Sequence, residues 1–270
     1  MITIIAQSEG KVVMVKGLYS AYTGLLSEQK RLDVVSNNVA NAATVGYKKD
    51  GVTNQSFEEL LAVKSKDASV GYANQRIGGM SLGTKTGEVY VDYKQGSLQK
   101  TGSAFDLAIS GDGFFKVSVQ LADGTEAIKY TRDGGFKVNN EGFVVDSDGN
   151  QLLGENGAVQ VTDGTGEIAI DDTGVVYCNN QEVDKITLVD FEDYGYLQKF
   201  GNNMWEAVDG ATEKEATGGL LQGYLEQSNV QSVDEMVNMI TITRAFETNQ
   251  KVMQTIDQML DKAVNQVGSL

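Results

Sequence analysis

Apolar residues fall every seven positions at both ends of the chain. Near the start, Leu18, Leu25, Leu32 and Val39 form one series, and Ala21 and Val35 sit three positions after members of it. That is the a/d seam of a coiled-coil helix. Glu28 takes the remaining d position and leaves the seam imperfect, and Gly46 follows the last periodic residue as a helix stop. Near the end, Met239, Phe246, Met253, Leu260 and Val267 form a second series, with Ile242, Asn249, Ile256 and Ala263 between them. Ser232, followed three residues later by Glu235, reads as the capping box that opens this helix. Roughly 36 residues at about 1.5 Å each predict a rod on the order of 54 Å long. Asn249 is polar within the seam, where it costs stability and fixes register. An ordinary amphipathic helix on a globular core is the plainer alternative; the narrowness and length of the stripe favour pairing.

Between these ends the period changes to that of strands. Short runs rich in β-branched and aromatic residues occur at 89–93, 114–119, 143–145, 168–170, 175–177 and 186–189, with Asp-Gly and Glu-Gly dipeptides near them as turns. No helical pattern intervenes, so the strands are predicted to be antiparallel rather than βαβ units. Residues 51–83 are less patterned: 57–61 reads as a short helix and 65–83 as an irregular loop. The organisation predicted is thus α+β. An N-terminal assembly helix spans 14–46, a linker 47–83, a central glycine-rich antiparallel β domain 84–231 and a C-terminal assembly helix 232–270. Two apolar stripes so far apart in sequence have to pair with each other, with other copies of the chain, or with both.

Charge sharpens this picture. Residues 1–14 balance, 15–50 carry +2 and 232–270 carry −2, so the segment 51–231 holds the whole formal charge of −15. Near-neutral ends suit close packing between chains, and an acidic middle suits a solvated outer surface. No basic stripe of a nucleic-acid binder is visible. There is no histidine, the commonest general base and metal ligand. The single cysteine, Cys178, lacks partners for a disulfide or a zinc site. There is no proline, so the 31 glycines with Asn and Asp supply the turns. No run approaches a membrane span, and MITIIAQSEGKVV lacks the features of a cleavable signal peptide.

Motifs for catalysis are weak. Asp146-Ser-Asp-Gly-Asn150 places its glycine at position 4 of a would-be calcium loop and Gly157 at position 12, so a turn is the better reading. Gly111-Asp-Gly113 lacks the spacing of a nucleotide loop. Glu58-Glu59 and Asp171-Asp172 are adjacent and diverge on any regular element. No cofactor, metal, catalytic residue or small-molecule substrate is therefore assigned. Trp205, Phe114, Phe115 and Phe136 read as core. Asn37, Asn38 and Asn41 are poor helix-interior residues; a solvated face near a helix end and a recognition role both remain open.

Three groups of motifs resemble one known family. GLYSAYTGL at 17–25, LDVVSNNVAN at 32–41 and GYK at 46–48 are similar to the N-terminal signature of flagellar basal-body rod and hook proteins. DLAISGDGFF at 106–115 and YTRDGGF at 130–136 resemble its centre, and GYLEQSNV at 223–230, EMVNMI at 235–240 and RAFE at 244–247 its C-terminal signature. The resemblance starts close to Met14, leaving residues 1–13 as an extra segment, and Phe246 stands where the family usually has Tyr. It implies a non-enzymatic structural subunit of the rod, more of the distal than the proximal kind. It further implies export without a cleaved signal through the flagellar apparatus, and self-assembly with other rod and hook subunits into a torque-transmitting helical tube. The family-motif residues carried over are Ser36, Asn37, Asn38, Asn41, Asn229, Arg244 and Glu247; the two seams would form the assembly interface. A hook subunit is the nearest alternative, and a secreted β-rich adhesin the alternative from another class.

Overall fold

The computed structural model describes residues 2–56, 60–63, 76–80, 83–121, 124–161, 168–201, 203–262 and 265, with side chains from Gly17 onward except in 60–63 and 76–80. The chain is α+β and forms two compact units. One comprises Met1–Val39, Asp50–Val91 and Ser232–Leu270; the other comprises Ala40–Lys49 and Asp92–Gln231.

The first unit holds both long helices, α1 (Ile2–Ala40) and α2 (Ser232–Lys262), and four strands. Strand β1 (Lys49–Ser56) pairs with β4 (Thr84–Asp92), and β2 (Leu60–Val63) runs antiparallel to β3 (Arg76–Met80). Two expectations are corrected here. Of the helix predicted over 57–61, residues 57–59 lie outside the described residues, while Leu60 and Leu61 open β2. Of the loop predicted over 65–83, the described part includes strand β3. Leu60, Leu61 and Val63 are apolar and Val63 is β-branched, so once a partner strand lies alongside, extended backbone outcompetes one turn of helix.

Helix α1 also stops earlier than Gly46. It ends at Ala40, and Asn41 closes a turn by accepting from Thr44 N at 3.1 Å through its carbonyl. Three asparagines in five positions, whose side chains compete for backbone hydrogen bonds, weaken the last turn. Gly46 instead takes φ +68°, and its Cβ position would lie 2.5 Å from the backbone of Arg132, so only glycine fits there.

The second unit is a β domain in which every assigned strand pair is antiparallel, as the turn pattern predicts. Strands β5 (Leu98–Lys100), β6 (Leu107–Ser110), β7 (Phe114–Gln120) and β8 (Glu126–Thr131) come first. They are followed by β9 (Lys137–Val138), β10 (Val144–Val145), β11 (Gln151–Gly154) and β12 (Gly157–Ala158). Next come β13 (Ile168–Ile170), β14 (Val175–Cys178), β15 (Gln181–Lys185) and β16 (Leu188–Phe191). Last are β17 (Leu197–Phe200), β18 (Met204–Ala207), β19 (Glu213–Glu215), β20 (Gly219–Gln222) and β21 (Tyr224–Glu226). The main sheet runs β17-β18-β8-β7-β11-β10-β9, with β16 also on β7 and β19 on β16. Strand β7 is its axis: Phe115 and Val117 turn one way into a core with Leu107, Leu152, Val161 and Leu220. Phe114 joins Tyr130, Phe191 and Trp205 in a second, aromatic core. Neighbouring residues reach different cores because side chains alternate along a strand. The last strands, β20 and β21, return to β6 and β5, which brings the approach to α2 beside the start of the domain.

Candidate functional site

Helix α2 is covered along one line. Met239, Phe246, Asn249, Met253 and Leu260 are half-buried, Ile242 and Ile256 are buried, and the residues between them are exposed apart from half-buried Ala245. On α1, Leu18, Leu25, Leu32, Val35 and Val39 are all half-buried, with Ala21 fully buried beside them. A small and polar edge of α1 contacts α2. The Cβ position of Gly17 is 3.4 Å from Ile256 Cδ1, and that of Gly24 is 3.0 Å from Asn249 Nδ2. Asn38 Nδ2 donates to Glu235 Oε2 at 3.4 Å. Each step along α1, from 17 to 24 and from 24 to 38, is matched by an equal step back along α2, from 256 to 249 and from 249 to 235. The helices therefore run antiparallel in one register. The polar Asn249 side chain lies over Gly24.

Asn38 is a fixed point of this unit. It is 1% exposed. Its Nδ2 donates to Asp50 O at 2.8 Å, and its Oδ1 accepts from Asp50 N at 3.0 Å. One amide side chain thus completes a two-bond pairing with the backbone of β1, as a strand would. Glu235, in the first turn of α2, is equally buried at 1%.

A second constellation lies within the β unit. The Glu226 carboxylate accepts from Lys48 Nζ at 2.6 Å and Gly96 N at 2.9 Å on one oxygen, and from Arg132 Nη1 at 3.1 Å on the other. Its backbone oxygen accepts from Gly46 N at 2.8 Å. Lys48 Nζ also donates to Lys94 O at 2.9 Å. The three ionic side chains are 1–3% exposed. Burial disfavours the Lys48 ammonium and lowers its pKa despite the Glu226 charge beside it. Three residues further on, Asn229 accepts from Lys49 N at 2.8 Å and donates to Asp92 O at 2.7 Å and Lys94 O at 3.1 Å.

These arrangements hold backbone. An acidic hollow of about 540 Å³ has Asp133, Asp146 and Asp148 on its wall. Burial raises the Asp133 pKa. Asp146, the would-be calcium ligand, accepts from Asp148 N, Asn150 N and Asn150 Nδ2, all at 2.8–2.9 Å, so its carboxylate closes its own turn.

The comparisons with known proteins follow the same three blocks. The family described as "Flagella basal body rod protein" matches residues 18–48. "Flagellar hook protein FlgE/F/G D1 domain" matches 108–178, and "Flagellar basal body rod FlgEFG protein C-terminal" matches 221–267. The flagellar basal-body rod protein FlgG of Bacillus subtilis is 34% identical over 93% of this chain and 99% of its own length. FlgG of Caulobacter vibrioides is 35% identical over 94% and 100%, and the rod protein FlgF of Rhizobium meliloti 32% over 94% and 99%. This chain belongs to the flagellar basal-body rod protein family. It is a structural rod subunit of the flagellar basal body.

The family motifs now have positions. Asn38 and Asn229 are backbone clamps, one in each unit. Asn41 is half-buried at the turn after α1, and Ser36, Asn37, Arg244 and Glu247 are exposed. Asn37 Nδ2 reaches Asp50 Oδ2 at 3.5 Å. Sequence reasoning did not single out Lys48, Arg132 and Glu226, although each lies inside a quoted rod-family motif; one charged residue in each of three motifs was the available signal. It also missed a second apolar row on each helix. Val233, Met236, Val237 and Ile240 are 51–71% exposed, and Tyr19, Tyr22 and Leu26 are 48–55% exposed. Their helical spacing is present in the sequence, but it is shorter than the heptad series beside it.

Proposed function

We propose that the two terminal helices pair as an antiparallel coiled coil within each subunit and polymerise through their outer faces. The polymer is a helical tube that carries torque from motor to hook. The observation that carries this is the two-sidedness of α2. Asn249 and Ile256 of its heptad row meet Gly24 and Gly17 of α1, while Val233, Met236, Val237 and Ile240 stay in water on the other side. A monomer has no use for such a row, and each Val, Ile or Met fully buried by a neighbour contributes about 1.5–3 kcal/mol. The partners are further copies of this chain and the adjoining rod and hook subunits, and the flagellar export apparatus delivers the chain without removing a signal. No catalytic step, cofactor or metal enters this role.

Deleting the gene in its motile host and imaging the remaining basal bodies by electron microscopy tests the assignment. Rods that stop short, without hook or filament, are the expected result. A full rod that lacks only the hook would make the chain a hook subunit, and normal flagella would remove the assembly role.

A further inference from the structure

The Glu226–Asn229 constellation has a placement that its hydrogen bonds alone do not explain. Two side chains of the segment leading into α2 (226–229) grip both the segment leaving α1 (46–49) and the segment leaving β4 (92–96). Every stretch of chain that runs from the helical unit into the β unit, or back, passes within a few residues of it in sequence.

The charges are unevenly supplied. Arg132 and Glu226, both from the body of the β unit, form a neutral pair 3.1 Å apart. Lys48 adds a second buried cation to the same carboxylate, leaving the trio one positive charge in excess. Part of that excess is met by Lys94 O and by the Phe114 ring, which lies 5.3 Å from the Arg132 guanidinium. Arg132 Nε has no hydrogen-bond partner among the described residues. A buried second cation is a poor anchor alone, because desolvation offsets most of its attraction. Segment 46–49 is held only when Gly46 N, Lys48 Nζ and Lys49 N all find their acceptors while Tyr47, 1% exposed, is packed away. Conversely, without that segment Asn229 Oδ1 and the Glu226 carbonyl lose their donors. The intermediate case, with one segment seated and the other loose, leaves polar groups unpaired, at about 1–3 kcal/mol for each one buried. Gly96 permits no slack: its Cβ position would lie 1.9 Å from Gln227 O.

We propose that residues 46–49 and 226–229 form one cooperative clasp that makes order at the root of α1 and order at the root of α2 conditional on each other. A subunit then has both roots seated or neither. A chain with one helix positioned and the other trailing, the form most apt to join a polymer wrongly, is disfavoured without any interaction between the helices themselves.

Amide hydrogen exchange on the full chain tests this with Lys48→Met, Asn229→Ala and the double variant. Lys48→Met keeps the apolar stem, and the acceptor that both side chains share is Lys94 O, which takes Lys48 Nζ at 2.9 Å and Asn229 Nδ2 at 3.1 Å. The expected result is that either single variant speeds exchange across 44–49, 94–97 and 223–230 together, by about tenfold or more. At 44–49 and 223–230, away from the Lys94 carbonyl that both side chains share, the double variant should be little faster than the faster single one, and the β7 amides (114–120) should be unchanged. The clasp is overturned if Asn229→Ala speeds exchange only at Lys49 and its immediate neighbours, or if the two effects multiply in the double variant. It is also overturned if β7 loosens together with the clasp, since the roots would then order only with the whole domain.

Discussion

Asn38 grips the backbone of Asp50 from both sides, donating to its carbonyl at 2.8 Å and accepting from its amide at 3.0 Å. The same side-chain nitrogen lies 3.4 Å from Glu235 on the other helix. A helix side chain therefore acts as a short length of strand, and three segments distant in sequence meet at one buried amide.

Replacing Asn38 by Ala is expected to destabilise the helical unit by about 1–3 kcal/mol, because the Asp50 backbone groups are left buried without partners. Asn38→Asp should be worse than Ala: it removes the donor and adds a carboxylate beside Glu235. Chemical denaturation followed by far-UV circular dichroism measures both. Equal stability of the three proteins would show that water replaces the clamp.

Gly24 separates two kinds of substitution. An added Cβ meets Asn249 Nδ2 at 3.0 Å, the end of a movable side chain, so Gly24→Ala should be tolerated and gains about 1 kcal/mol of helix propensity. Gly24→Leu cannot be absorbed by moving Asn249 alone and should cost about 1–3 kcal/mol through forced separation of the helices. Thermal melts of the two variants should move in opposite directions; parallel shifts would mean that the helices are not in contact at this point.

The inner and outer rows of α2 should fail differently. Ile240→Asp alters a residue that is 54% exposed, so helix content should persist while sedimentation shows no polymer. Phe246→Asp places a charge in the half-buried row and should reduce helix content itself. Loss of helix in Ile240→Asp, or unimpaired polymerisation by it, would count against the outer row as a contact surface.

Two tyrosines set an alkaline limit. Burial, followed by the hydrogen bond to Glu213, raises the pKa of Tyr130; burial and the hydrogen bond to Asp190 do the same for Tyr194. Their folded-state values exceed the ordinary tyrosine value of 10.0, so the stability they confer is complete below that pH and is lost as pH rises through the folded values. The urea midpoint should fall above about pH 10, and the fall should be shallower in a Tyr130→Phe, Tyr194→Phe double variant. An unchanged slope would assign the alkaline loss to other groups.

The residues differ in how openly they announce these roles. The heptad positions from Met239 to Leu260 were legible because one helix face repeats a single physical requirement many times. The turns were legible because glycine substitutes for everything a proline-free chain lacks. The clasp was not, since Lys48, Arg132 and Glu226 are each unremarkable alone and only the return of β21 to β5 makes them neighbours. The segment 57–83 resisted reading because its strands depend on each other rather than on their own periodicity. On α1, Gly17 and Gly24 stand one residue before heptad leucines, and their Cβ positions would lie 3.4 Å from Ile256 and 3.0 Å from Asn249. Small side chains carry no hydropathy signal, yet they decide where two backbones can meet.

The most direct measurement is photo-crosslinking in assembled rods, with a photoreactive residue placed at Ile240 in one preparation and at Ile256 in another. Ile240 should give adducts between subunits, and Ile256, which faces Gly17, should give only links within one chain. Inter-subunit adducts from Ile256 with none from Ile240 would contradict the assignment of inner and outer faces, and with it assembly through pre-paired helices.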